Sequence, residues 1–158
     1  MKVVWHRRDL RTFDNMALSK AGDKALPVYI FDPEWLENNL VSDARIKFVL
    51  ESLKDLNRQY VEKDFHLTLL HGNPVEILTE LSDEGHEIFF NKDANHFKQE
   101  RERKAREKFH GFENSAVDTS GRDQSEWSKN TEKWFQEKYL KPSDSLVDNN
   151  LKSSTSLE

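Results

Sequence analysis

Apolar and polar positions along this chain follow two periods. Short runs rich in β-branched or aromatic residues, at Val3–His6, Ala25–Phe31, Leu67–Leu70, Ile88–Phe90 and Ala116–Val117, read as strands. Helical spacing fills the stretches between them, at Met16–Ala21, Asp43–Glu62, Pro74–Leu81 and Phe97–Phe109. In the second of these, Ile46, Val49, Leu50, Leu53, Leu56 and Tyr60 recur mostly at three- and four-residue steps, the mark of a helix with one apolar side. Asp14 or Asn15 caps the first helix, Asn73 caps another with Pro74 at its first position, and Gly111 predicts the stop of the last. Strands alternating with helices predict a parallel sheet covered on both faces. Right-handed crossovers reduce the choices to a few doubly wound sheets. The prediction is an α/β, Rossmann-like, doubly wound sheet of five parallel strands in the order 3-2-1-4-5. Trp5, Val28, Ile30, Leu69 and Phe89 are expected in its core.

This domain is expected to occupy residues 1–120. The stretch from Gly121 to Lys141 is polar, with Trp127, Trp134, Phe135, Tyr139 and Leu140 as its large apolar residues. One helix around Trp134, Phe135 and Lys138 fits there. From Pro142 onward Ser, Asp, Asn and Lys dominate, so 121–158 reads as a polar linker or tail.

Composition removes several classes of function. The formal charge of −5 argues against the whole chain as an electrostatic nucleic-acid binder, which needs a basic face. With no cysteine there is no disulfide, thiolate nucleophile or cysteine zinc site, in keeping with a reducing cytoplasm. No apolar segment has the length of a signal peptide or membrane span. The six histidines include no pair with zinc-motif spacing around a glutamate. Neither the glycine-rich turn of nicotinamide enzymes nor the phosphate loop of ATPases is present, which counts against both classes.

The candidate chemistry lies where Val3-Val4-Trp5 runs into Arg7, Arg8, Asp9 and Arg11, since the carboxyl end of the first strand in an open α/β sheet borders the ligand crevice. These arginines have two readings. They pair with Asp9, Asp14, Asp32 or Asp93, or they present guanidinium forks to a ligand anion. His6 reads as a hydrogen-bonded structural histidine or a pocket residue. Phe31 is core or a stacking face. Asp32 is an ion pair, a helix cap or a ligand contact.

The string from Trp5 to Asn15 resembles the opening of the cryptochrome/photolyase family. Four further segments match that family in order: Pro27–Pro33 with its Phe31-Asp32, the helix Ala44–Leu53, the turn His71–Pro74, and Asn91-Lys92-Asp93 followed by Arg101. The resemblance covers roughly the first 120 residues. It implies the family's N-terminal antenna domain, whose sheet-end crevice holds a deazaflavin, a flavin such as FMN or, elsewhere on the domain in some branches, a reduced folate. Carried over by motif, the contacting positions are Arg11, Asn15, Phe31, Asp32, Arg45, Phe48 and Asp93. Ala94 and Asn95 stand where the family commonly has a tyrosine and an acidic residue. The resemblance also implies a helical domain that carries FAD and the repair chemistry, and its usual hinge motifs are not found here. That domain is expected as the partner, covalently attached in a longer parent or supplied as a separate chain. Alone, this chain is expected to have no catalytic residue, no DNA binding and no repair activity. Two alternatives stand beside it: a docking or regulatory module of the same fold without a chromophore, and a small nucleotide-binding α/β domain.

Overall fold

The computed structural model describes residues 1–22, 24–37, 41–92 and 109–112. Five strands, β1 (Lys2–His6), β2 (Ala25–Phe31), β3 (Thr68–His71), β4 (Glu87–Asn91) and β5 (His110–Phe112), form one sheet in the order β3-β2-β1-β4-β5. All four pairings are parallel, so the expected topology is the observed one. Four helices are described: α1 (Met16–Ala21), α2 (Pro33–Leu36), α3 (Asp43–Val61) and α4 (Pro74–Asp83).

Side chains alternate across a strand, so a sheet buried on both faces builds two cores. On one face Val4, Tyr29, Phe31, Leu69 and Phe89 pack with Ala17, Leu18 and Ala21 of α1 and with Leu53, Leu56 and Tyr60 of α3. On the other, Val3, Leu26, Val28, Ile30, Leu70, Ile88 and Phe90 pack with Leu78 and Leu81 of α4 and with Phe109. β2 is buried at every position. It tolerates Pro27 because pairing with β3 starts only at Val28, before which β2 has one neighbour.

Three details differ from the expectation. Trp5 is only half-buried, whereas Val28, Ile30, Leu69 and Phe89 are buried. Its ring leans on Phe90 at 5.9 Å and is covered by the Arg7 guanidinium at 4.8 Å, a polar lid at the sheet's rim. Gly111 does not stop a helix: it lies within β5, so the fifth strand forms at His110–Phe112, ahead of the Ala116–Val117 run expected to supply it. A Cβ there would sit 2.9 Å from the Phe90 ring and 3.2 Å from Lys92, so this glycine serves close approach between neighbouring strands. The third is α2, which the pattern did not predict, although Asp32-Pro33 is the same cap-then-proline signal as Asn73-Pro74. The strand expected at Ala116–Val117, the helix over Phe97–Phe109 save Phe109 itself, and the whole 121–158 segment lie outside the described residues. No helix among the described residues is long and apolar enough to cross a membrane.

Candidate functional site

The carboxyl ends of β1, β2 and β4 are bordered by the turn from β1 to α1, by α2 and by α3. In the turn, Asn15 is the N-cap of α1: its Oδ1 accepts from the Leu18 N–H at 3.0 Å. The next free amide of α1, that of Ala17, donates at 2.9 Å to Oδ1 of Asn91, which ends β4. Asn91 Nδ2 donates in turn to Asp9 Oδ2 at 2.6 Å and to Asn15 Oδ1 at 2.9 Å. Asn15 Nδ2 donates to the same Asp9 oxygen at 3.1 Å, and the Arg7 amide donates to Asp9 Oδ1 at 3.0 Å. The point between β1 and β4, where the strand order reverses, is therefore closed by a carboxylate and two amides that satisfy one another and the end of α1.

Of the arginines of this turn, Arg11 follows the pairing reading, whereas the side-chain contacts described for Arg7 are to a carbonyl and two rings. Arg7 donates to the Asn91 carbonyl at 2.6 Å and lies over the rings of Trp5 and Phe90. Arg11 donates from Nε to the Asp14 carbonyl at 3.0 Å and pairs with the Asp14 carboxylate at 3.3 Å. The local backbone makes this possible, since Asp14 adopts φ +46°, a left-handed conformation that folds the turn back on itself.

His6, at the end of β1, is fully buried. Its Nδ1 lies 3.1 Å from the Asp9 carbonyl oxygen and its Nε2 lies 2.7 Å from the Tyr60 hydroxyl on α3. Burial holds the imidazole's pKa below its ordinary value, against the opposing pull of Asp9. Burial, with Asp9 adding to it, pushes the Tyr60 hydroxyl up. Nearby, the Thr12 hydroxyl donates to Gln59 Oε1 at 2.9 Å, a second tie between turn and helix.

The other wall is less polar and more open. Phe31 is 8% exposed and packs edge-on against Tyr29 in the core under α3, so at most its rim reaches a ligand. Asp32 caps α2 by accepting from the Glu34 N–H at 3.1 Å. Burial, and then Asp32, push the Tyr29 hydroxyl up to about 12. Arg45 and Phe48 are three residues apart on one side of α3, and both are exposed; Phe48 is 68% exposed. Leu10, Leu36, Val49 and Leu50 are half-covered at the border of the core, and Phe13 in the turn is 56% exposed. Asp93 lies outside the described residues.

Of the motif-derived site residues, Asn15, Phe31 and Asp32 thus serve as helix cap, core ring and helix cap. Arg45, Phe48 and the partly exposed Arg11 remain presented to solvent. An aromatic face beside a guanidinium suits a planar ring with anionic or carbonyl edges, so these side chains fit part of what a flavin-like group requires. Asn91 as the partner of Asp9, and Tyr60 as the partner of His6, were missed. Their signal was chemical: an aspartate and an asparagine at the ends of adjacent buried strands need partners that the strands cannot supply.

A sequence profile described as DNA photolyase matches residues 2–121. A cryptochrome DASH of Solanum lycopersicum is 32% identical over 103 residues, covering 58% of this chain and 18% of that protein. A deoxyribodipyrimidine photo-lyase of Synechococcus is 27% identical over 105 residues, covering 63% of this chain and 22% of that protein. The chain thus matches about a fifth of the length of these curated relatives. Among solved structures, an archaeal photolyase from Sulfolobus tokodaii superimposes with a TM-score of 0.78 at 24% identity, covering 93% of this chain and 38% of that one.

Proposed function

Since the chain belongs to the DNA photolyase family and has the fold of its N-terminal α/β domain, we propose that it is an antenna domain that binds a planar chromophore at the open wall between the β1–α1 turn and the first half of α3. When bound, such a group absorbs light and passes the excitation to a catalytic FAD. That FAD belongs to the family's helical domain, the proposed partner, in which the repair chemistry resides. The observation that carries the reading is Phe48, a large aromatic side chain exposed on a helix beside Arg45 and a half-covered apolar strip. Exposing a side chain of this kind to water is unfavourable, and covering it with a flat ring is favourable. The Sulfolobus tokodaii photolyase was solved with two FAD molecules and the implication of a novel light-harvesting cofactor, which adds weight to a flavin among the candidates.

In this reading Phe48 supplies the stacking face and Arg45 a cationic donor. Arg11, Asp32 and the rim of Phe31 border the ring, Asp93 completes the fourth-strand side, and Asn15 holds α1 in place. Deazaflavin, FMN, FAD and a reduced folate should be titrated into the chain and into Phe48→Ala and Arg45→Ala. Sub-millimolar binding of at least one is expected. Phe48→Ala should weaken it by about 1–3 kcal/mol, as at other aromatic platforms. If none binds, the second reading replaces the first: a docking module without a chromophore. That reading draws on the closed polar network at the strand-order reversal, which leaves the amides of Ala17 and Leu18 without capacity for a ligand.

A further inference from the structure

For a neutral ring the hydrogen bonds of His6 have one consistent direction. A carbonyl oxygen can only accept, so the contact to Asp9 requires the proton on Nδ1. The neutral ring then carries a lone pair at Nε2, and the Tyr60 hydroxyl donates to it. A single imidazole therefore joins the last turns of α3 to the backbone of the β1–α1 turn. The same Asp9 carbonyl also accepts from the Arg11 amide at 2.8 Å, so the arginine's backbone hangs from that point.

A second proton is costly in this geometry, because it places a charge on a fully buried ring and reverses the bond to Tyr60. It would set an N–H against the buried Tyr60 hydroxyl, which would have to turn its own proton away from the ring. The neighbouring anion is the Asp9 carboxylate, already engaged by the Arg7 amide, Asn15 and Asn91. Among the described residues, the other titratable groups near the ring are Tyr60 on α3 and Tyr29, its register partner on β2. Neither tyrosine offers a negative charge at neutral or acid pH. Thr12–Gln59 is a further tie between turn and helix, and it does not titrate.

We propose that neutral His6 is an acid-labile latch: it fastens the turn from Arg7 to Arg11 onto α3, and its protonation loosens that turn while the sheet remains folded. The consequence for chromophore affinity rests on the antenna reading; the latch itself does not.

The test is nitrogen NMR on the full chain. At neutral pH the His6 ring should show a protonated Nδ1 and an unprotonated Nε2. On lowering the pH from about 7.5 through and below the usual histidine range, the amides of residues 7–11 and of Tyr60 should shift together with one midpoint. That midpoint should lie below the ordinary histidine value, as burial of the ring requires, and the amides of Val28 and Ile30 should stay put. His6→Gln, which retains a donor and an acceptor without titrating, should abolish the transition. A ring protonated at Nε2 in the neutral state, a titrating His6 with a motionless turn, or an unchanged transition in His6→Gln would each overturn the proposal. The wild-type tautomer decides the matter even if the variant does not fold. FMN affinity measured over the same range should fall with the turn's midpoint. If FMN binds at no pH, the flavin form of the antenna reading fails and the latch is judged by the amides alone.

Discussion

Along α3, Leu53, Leu56 and Tyr60 are fully buried, whereas Ile46, Val49 and Leu50 on the same apolar stripe are only half-covered and Phe48 beside them stands open. Both halves carry the same periodicity. What separates them is what lies opposite. The second half belongs to the buried cluster with β-sheet side chains such as Val4 and Tyr29; in the first, Val49 and Leu50 only border that cluster, as Leu10 and Leu36 do. Periodicity reports that a helix has an apolar side and does not report whether the molecule covers it. The covered half is where the fold is held, and the uncovered half is where the proposed chromophore would sit.

The largest expected effect sets the two halves directly against each other. Leu56→Ala should destabilise the chain by about 2–5 kcal/mol, through lost transfer energy and a cavity. Phe48→Ala should change it by no more than about 0.5 kcal/mol. Urea unfolding of both would break the comparison if the costs were alike.

The covered half can also be probed by alkali. Tyr29 ionises near 10 when unfolded and at about 12 when folded. Its contribution is complete below about pH 10 and is lost as the pH rises toward 12, because there the unfolded chain has released a proton that the folded chain retains. The loss should be of the order of 2 kcal/mol. Stability curves of wild type and Tyr29→Phe should diverge over that window, and parallel curves would show that the hydroxyl is not buried as described.

Asn91 tests whether the turn opposite α3 is a scaffold. Asn91→Ala leaves the Ala17 amide without its acceptor and removes two donors from Asp9 and Asn15, so about 1–3 kcal/mol should be lost. A neutral result in urea would mean that the network is not structural. The smallest effect belongs to the rim. Arg11 forms a partly exposed pair with Asp14, and Arg11→Ala should cost no more than about 1 kcal/mol in stability. A clear loss of chromophore affinity in the same variant would sharpen the division between what holds the fold and what meets the ligand.

The sheet order and the caps at Asn15 and Asn73 were legible in the sequence, because strand–helix alternation, crossover handedness and capping chemistry are local or nearly so. Helix α2 was legible in principle: Asp32-Pro33 repeats the signal of Asn73-Pro74, but four helical residues are too few to show a period. The use of Gly111 was not legible, since the Phe90 ring that demands it comes from a neighbouring strand. The candidate site divided in the same way. Motif matching selected Arg45 and Phe48, which are exposed. It also selected Asn15 and Phe31, whose side chains are taken up by a cap and a core. The bond from Asn91 to Asp9 joins positions 82 residues apart, and no spacing along the chain encodes it.

The most direct test of the antenna reading is an amide chemical-shift map of the nitrogen-labelled chain, recorded as deazaflavin, FMN, FAD and a reduced folate are each added. The account predicts that at least one produces saturable shifts centred on Arg45–Leu50, extending to Arg11–Phe13 and Asp32, while Ala17, Leu18 and Asn91 remain unmoved. Saturable shifts centred on α4, or none with any of the four at sub-millimolar concentration, would contradict it.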